Sequence, residues 1–267
     1  MLKKTLMKKI ACYSSFILMF CLGITTASAQ NNNYLVLEYM RLKPGITDSS
    51  PIIENTRQRL QQQNEKDHSV IQSTVWQSVN PNNKDYQYVV ATIFKNFNDY
   101  LSQYKNNDSG VFYSLSKGRL DTTAASENDS FQIVHTPIFE MLAGAGSPKK
   151  QPKYLLNTQI KAASGREMIY ESSEFQDWLP IHEDLIKKGY ESSFNFNRLI
   201  FPLSRSDYNY STLIFFEDEA MFNKQDDIDY DPYMRANQAA FIKSGTLHKD
   251  MHAELLQFVT VLDVGKK

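Results

Sequence analysis

Hydrophobic and polar residues alternate along two stretches of this chain in the same way, about 120 residues apart. The first stretch begins Tyr34-Leu35-Val36 and runs through Met40-Arg41 to Gly45. The second begins Tyr154-Leu155-Leu156 and runs through Ile160-Lys161 to Gly165, with identical spacing of aromatic, basic and glycine positions. Further on, Asp85-Tyr86-Gln87-Tyr88 leads into an apolar run ending at Phe94, and Asp207-Tyr208-Asn209-Tyr210 into another ending at Phe216. The offsets are 120 and 122 residues. Two matches in the same order at almost the same offset point to an internal duplication.

Each copy predicts the same elements. Runs rich in β-branched and aromatic residues predict opening strands over Tyr34–Leu42 and Tyr154–Ala162. In the first copy a helix follows near Pro51, a residue tolerated at the first helical position, with Ser50 as its cap. Strand pairs are expected over Val70–Val79 with Tyr86–Phe94, and over Ser193–Phe201 with Tyr208–Phe216. The polar links Asn80-Pro81-Asn82-Asn83 and Ser204-Arg205-Ser206 read as turns. Helical stretches follow over Asn98–Tyr104, Glu219–Lys224 and Pro232–Lys243, and closing strands over Phe131–Met141 and Leu255–Leu262. The fold class is therefore α+β. Two ferredoxin-like β-α-β-β-α-β repeats, 30–143 and 153–267, are joined by a linker over 144–152 and form an intramolecular pseudo-dimer or barrel. Each repeat covers one sheet face with helices, and the second repeat supplies a partner for the other face.

The first residues change the picture of where this fold works. Lys3, Lys4, Lys8 and Lys9 precede an apolar stretch, Ile10 to Ile24, and Ala27-Ser28-Ala29 forms a small-residue cleavage site before Gln30. That is the plan of a cleavable signal peptide over residues 1–29, too short in its apolar part for a comfortable membrane span. Phe20 before Cys21 argues against a lipid anchor. Both cysteines, Cys12 and Cys21, lie in this leader, so the expected mature chain has no thiol chemistry and no cysteine-held metal. Removing the leader leaves 25 basic against 30 acidic residues. A mildly acidic chain without a basic stripe argues against nucleic acid as a partner. No later run suggests a membrane span, and the oligomeric state is open.

These repeats resemble the dimeric α+β barrel superfamily in a tandem form. The resemblance rests on the paired Tyr34 and Tyr154 strands and the paired Asp-Tyr-x-Tyr strands, and covers nearly all of the mature chain. That group includes the antibiotic-biosynthesis monooxygenase type, the stress-responsive type and haem-binding branches. The matching residues belong to the fold, so no catalytic set transfers position by position. Trp178-Leu179-Pro180-Ile181-His182-Glu183 also resembles a Trp-x-Pro-x-His-Glu motif of exported bacterial proteins.

Candidate chemistry follows from where the copies differ. The second copy carries Trp178, His182, Glu183 and Asp184 where the first has Gln58 and Gln62. Pro180 is placed to restart a helix and Gly189 to end it. His182 would serve as a general base or haem ligand tuned by Glu183, with Trp178 beside it; the plainer reading is a histidine packed against Trp178. His248 and His252 share one face if they lie on a helix, as a metal pair requires, with Glu254 or His182 as third ligand; the plainer reading is two solvated histidines. Tyr86, Tyr88, Tyr208 and Tyr210 alternate along strands, one of each pair facing inward, where hydroxyls would bind a ligand or rings would fill a core. His135 sits on a closing strand, and His68 in a polar loop. No phosphate loop, nucleophile elbow or dinucleotide fingerprint is present. Three readings stay open: a small-molecule enzyme of oxidative or cofactor-light type, a non-enzymatic binder of a small ligand such as haem or an aromatic compound, and a cell-envelope interaction module. The cofactor is not specified.

Overall fold

Strand β1 (Tyr34–Leu42) carries Val36, two tyrosines and four further apolar residues on alternating faces, and it is paired along both edges. The computed structural model describes residues 33–67, 70–80, 83–97, 130–201, 207–236 and 238–262. Among these, nine strands form a single antiparallel sheet: β1, β2 (Val70–Ser78), β3 (Tyr88–Phe94), β4 (Phe131–His135), β5 (Ile138–Gly146), β6 (Tyr154–Ala162), β7 (Ser193–Phe201), β8 (Tyr210–Phe216) and β9 (His248–Val261). The order is β3-β2-β9-β6-β8-β7-β5-β1-β4, and an additional β3–β1 pairing closes it into a barrel. β4 and β5 lie end to end against β1, so together they fill one position in the ring. All these elements belong to one compact unit, Asn32–Lys267.

The pairings of the two halves correspond. Tyr34 opposes Phe94 and Met40 opposes Tyr88, while Tyr154 opposes Phe216 and Ile160 opposes Tyr210. The seams between halves correspond as well, β2 with β9 and β5 with β7. Gly45 and Gly165 both adopt φ near +90° or +74° in the turn after the opening strand, which explains their shared spacing.

Alternation sorts the side chains into layers. Leu35, Leu37, Trp76, Val89, Phe139, Leu199, Leu213 and Leu256 fill the barrel. On the outside of the first half, Val36, Met40, Val75, Val90 and Phe94 pack under Ile52 and Leu60 of helix α1 (Ser50–Asp67). On the outside of the second half, Ile160, Phe194, Phe196 and Tyr210 pack against Tyr170 of α2 (Glu167–Ser173) and Leu247.

Four expectations need correction. The closing strand of the first copy breaks at Thr136-Pro137, where Pro137 has no N–H for the ladder, although its carbonyl still accepts from the Leu37 N–H. It then continues to Gly146, so the first three residues of the expected linker, 144–146, are strand paired with β7. Ser50 is the first helical residue of α1; the Ser49 carbonyl accepts from the Ile53 N–H at 3.0 Å, and the Asp48 carboxylate accepts from the Ser50 N–H at 2.8 Å. Pro180 does fall in the first turn of an α-helix that ends at Gly189, but that helix continues from the one before it. α2 passes through a π-helical turn, Glu174–Trp178, into α3 (Leu179–Lys188), which ends at Gly189. The widened turn lies just where Pro180 has no N–H to give. Finally, the closing strand β9 begins at His248 rather than Leu255, so His248 and His252 lie on a strand and not on a helix. The leader, His68, Asn98–Tyr104 and the Ser204-Arg205-Ser206 turn lie outside the described residues. Short helices α4 (Glu219–Asn223), α5 (Asp231–Ala236) and α6 (Gln238–Leu247) precede β9. No described helix is long and apolar enough to cross a membrane.

One buried ion pair fastens α1 to the sheet. Glu38, 4% exposed on the outer face of β1, accepts from both Arg59 guanidinium nitrogens, one at 2.7 Å. Arg59→Met leaves that carboxylate buried and alone, and urea denaturation is expected to show a loss of about 3 kcal/mol. The Glu38→Met/Arg59→Met double variant should recover much of it, because no unpaired charge remains.

Candidate functional site

The inward-facing residues change character toward one end of the barrel. There a cavity of about 450 Å³ is lined by Tyr39, Arg41, Asp85, Tyr86, Val134, His135, Gln159, Tyr208 and His252. Register explains the assembly. His135 opposes Tyr39 across β4 and β1, and His252 opposes Gln159 across β9 and β6. Tyr86 and Tyr208 lie two residues before the corresponding strands β3 and β8. The mouth therefore gathers residues from matching positions of both halves.

A polar chain runs from the mouth into the barrel. The Tyr39 hydroxyl accepts from Asn157 Nδ2 at 3.0 Å, and Asn157 Oδ1 accepts from the Ser211 hydroxyl at 2.8 Å. Tyr39 is fully buried, and burial pushes its hydroxyl well above the usual phenol range, so it stays protonated. Its ring meets Tyr86 edge-on, centroids 4.6 Å apart, and lies 5.8 Å from the His135 ring. Tyr86 donates to the Glu254 carboxylate, and burial raises the titration of both groups. His135 Nε2 lies 3.2 Å from the Tyr208 hydroxyl, and burial lowers the imidazole below its ordinary value. At neutral pH this end of the barrel thus presents a neutral imidazole among protonated phenols.

The other expected residues lie elsewhere. Tyr88 and Tyr210 face outward under the helices, and the Tyr210 hydroxyl donates to Glu171 of α2 at 2.9 Å, as does Arg198 at 3.0 Å. Trp178 and His182 are also on the helical face and line neither this cavity nor the second one described below. His182 is not tuned by Glu183, which is exposed; its Nδ1 lies 2.8 Å from Glu191, a carboxylate 1% exposed at the side chain. A helix directs consecutive residues to different faces, whereas Glu191 is brought back under α3 by the turn after Gly189. The His182 ring stacks on Phe194 with centroids 3.8 Å apart.

The metal pair is likewise corrected. β9 carries an extra residue at Met251, because His252 opposes Gln159 while Asp250 opposes Ile160. This bulge puts His252 on the inner face and His248 on the outer face, against Tyr170 with ring centroids 5.0 Å apart. Among the described residues no group of three His, Cys, Asp or Glu is arranged to hold a metal ion. Tyr39, Asn157 and Gln159 were missed as site residues; their odd positions on the paired opening strands, inward by alternation, are the signal that marks them.

Fold and site together define an antiparallel α+β barrel with a polar, aromatic mouth. No sequence family and no curated protein matches the chain. Solved structures do. An anthrone oxidase-like protein aligns with a TM-score of 0.59 at 9% identity, covering 89% of this chain and 95% of that one. A candidate monooxygenase from Fusobacterium nucleatum gives 0.51 at 9% identity over 86% and 94%. A variant chlorite dismutase from Candidatus Nitrospira defluvii gives 0.51 at 10% identity over 86% and 92%. The chain has the fold of the dimeric α+β barrel superfamily.

Around His182, Phe194 covers one face of the imidazole, and Phe196, Tyr170 and Tyr210 pack ring against ring between helices and sheet.

The same outer cluster holds a carboxyl with an altered titration. Glu174, in the π-helical turn, is 6% exposed, and burial raises it from 4.5 to about 7, against opposing contributions from Tyr170 and His182. A raised carboxyl favours the folded state at low pH. That contribution is complete below about pH 4.5 and is lost as pH rises to about 7, by roughly 3 kcal/mol. Chemical denaturation across this window should show wild-type stability falling relative to Glu174→Gln, with the difference levelling above about pH 7.

Proposed function

We propose that this protein is an exported small-molecule enzyme whose site is the barrel mouth, and that it takes a compact hydroxylated aromatic compound. The observation that carries this reading is the meeting of Tyr39, Tyr86, Tyr208 and His135 around one half-open cavity. Aromatic edges and faces suit a flat ring. Protonated phenols and Gln159 suit its hydroxyl or carbonyl oxygens. A neutral His135, held toward the cavity by Tyr208, suits removal of a proton from a phenol or an activated C–H. The names of the similar structures, an anthrone oxidase-like protein and a candidate monooxygenase, support oxidation of such a compound.

The polar mouth also supports duplication as the origin of the chain. Tyr86 with Tyr208, and His135 with His252, occupy corresponding positions in the two halves, and a pseudo-dimer brings them to a shared axis. Export rests on the leader-like residues 1–29.

Anthrone and 1-naphthol are the first probes, with oxygen uptake and binding measured on the purified protein. Saturable binding with oxygen uptake is expected, and His135→Ala should lower turnover at least about 100-fold. Because burial lowers the His135 titration, turnover should stay flat through neutral pH and fall only as the pH drops below the ordinary histidine range. Binding without oxygen uptake would make the protein a carrier. No binding to wild-type protein would remove the mouth as an aromatic site.

A further inference from the structure

The opposite end of the barrel holds a second cavity, of about 570 Å³, within the range that accommodates small ligands. Its inner wall is apolar: Leu35, Trp76, Ile93, Leu155, Leu213 and Phe215 all point into it from alternate strand positions. Polar side chains lie among them in register, Ser193 opposite Phe215, Asn195 opposite Leu213 and Gln72 opposite Ile93, while Thr74 accepts from the Trp76 indole N–H at 2.8 Å. Across the rim runs a strap, Gly146 to Pro152, which contributes Lys149 and Lys150. No acidic side chain lines the cavity.

The strap is built to stay there. Glu217 accepts from the backbone N–H of Lys149 at 2.6 Å and of Lys150 at 3.3 Å, so its carboxylate is engaged with backbone at the strap's outer side. A Cβ on Gly146 would sit 2.6 Å from the Ser192 carbonyl oxygen, so only glycine lets the strap leave β5 this close to β7. Pro148 and Pro152 stiffen the segment between. The result is a largely apolar chamber whose opening is crossed by a backbone-anchored strap carrying two exposed lysines.

We propose that this chamber binds a single-chain apolar carboxylic acid, with its tail among the inner side chains and its carboxylate at Lys149 and Lys150. Apolar walls reward burial of an aliphatic tail in proportion to its area. Lysines at an opening free of acidic side chains select an anionic head over a neutral one. The site is separate from the mouth, shares no lining residue with it, and does not depend on the aromatic-ligand reading.

Decanoate is the probe, read by tryptophan fluorescence in a Trp178→Phe background, where Trp76 in the chamber wall is the reporter. A saturable change is expected. Lys149→Gln/Lys150→Gln should weaken decanoate binding roughly three- to tenfold at low salt and leave decanol unchanged. Ala91→Phe, which fills the chamber from β3, should abolish binding of both, and His135→Ala at the far mouth should change neither. Methyl NMR on the Trp178→Phe protein gives a readout that does not depend on the filled variant folding. Contacts between decanoate and the Met141 methyl are expected, since Met141 lines the chamber. No saturable change, no Met141 contact, or binding lost with His135→Ala instead would each overturn the proposal.

Discussion

Closure of the sheet is the constraint on which the rest of this structure depends. Once β1 pairs with β3 on one side and with β4 and β5 on the other, the described sheet forms a ring. Every strand then has one face toward an enclosed interior and one toward the outside, and alternation decides which residues meet. The interior is shared by both halves, so neither half owns a site. The seams β2–β9 and β5–β7 carry the register that sets Tyr86 beside Glu254 and His135 beside Tyr208.

Enclosure also explains the electrostatics. The middle of the barrel is packed with Leu37, Trp76, Phe139 and Leu199, and polar groups near it must be partnered or neutral. Tyr39, Asn157 and Ser211 satisfy one another in a chain, and the titrations of Tyr39, Tyr86, Glu254 and His135 all move toward the uncharged form. The two ends then diverge. One mouth keeps aromatic hydroxyls and imidazoles, while the other is a largely apolar chamber crossed by the strap that joins the two halves. The outer face of the second half follows the same physics: His182 has Glu191 at its Nδ1 and Phe194 stacked on its ring, and Glu174 is buried within the π-helical turn.

Much of the fold was legible in the residues because strands announce themselves by period two. Tyr34–Leu42, Tyr154–Ala162 and Ser193–Phe201 are observed at the bounds their patterns predict. Tyr86 and Tyr208, marked by the paired Asp-Tyr-x-Tyr segments, line the mouth, and Tyr88 and Tyr210 pack outward. What period could not reveal were departures from period. One extra residue at Met251 reverses the facing of everything before it on β9, separating His248 from His252. The break at Pro137 and the extension of β5 to Gly146 depend on β1 and β7 being there to pair with.

The sequence by itself determined the alternation, the paired opening strands, the turn glycines and the order of elements, because these depend on neighbours within a few residues. The tertiary structure alone decided which carboxylate reaches His182, which histidines share a face, and which tyrosines converge at a mouth. Glu191 and His182 are nine residues apart and meet only after α3 turns back at Gly189; Tyr86 and Glu254 are 168 apart and meet only when the barrel closes. Such contacts depend on register between distant strands, and register is set by the packing of the whole interior rather than by any local pattern.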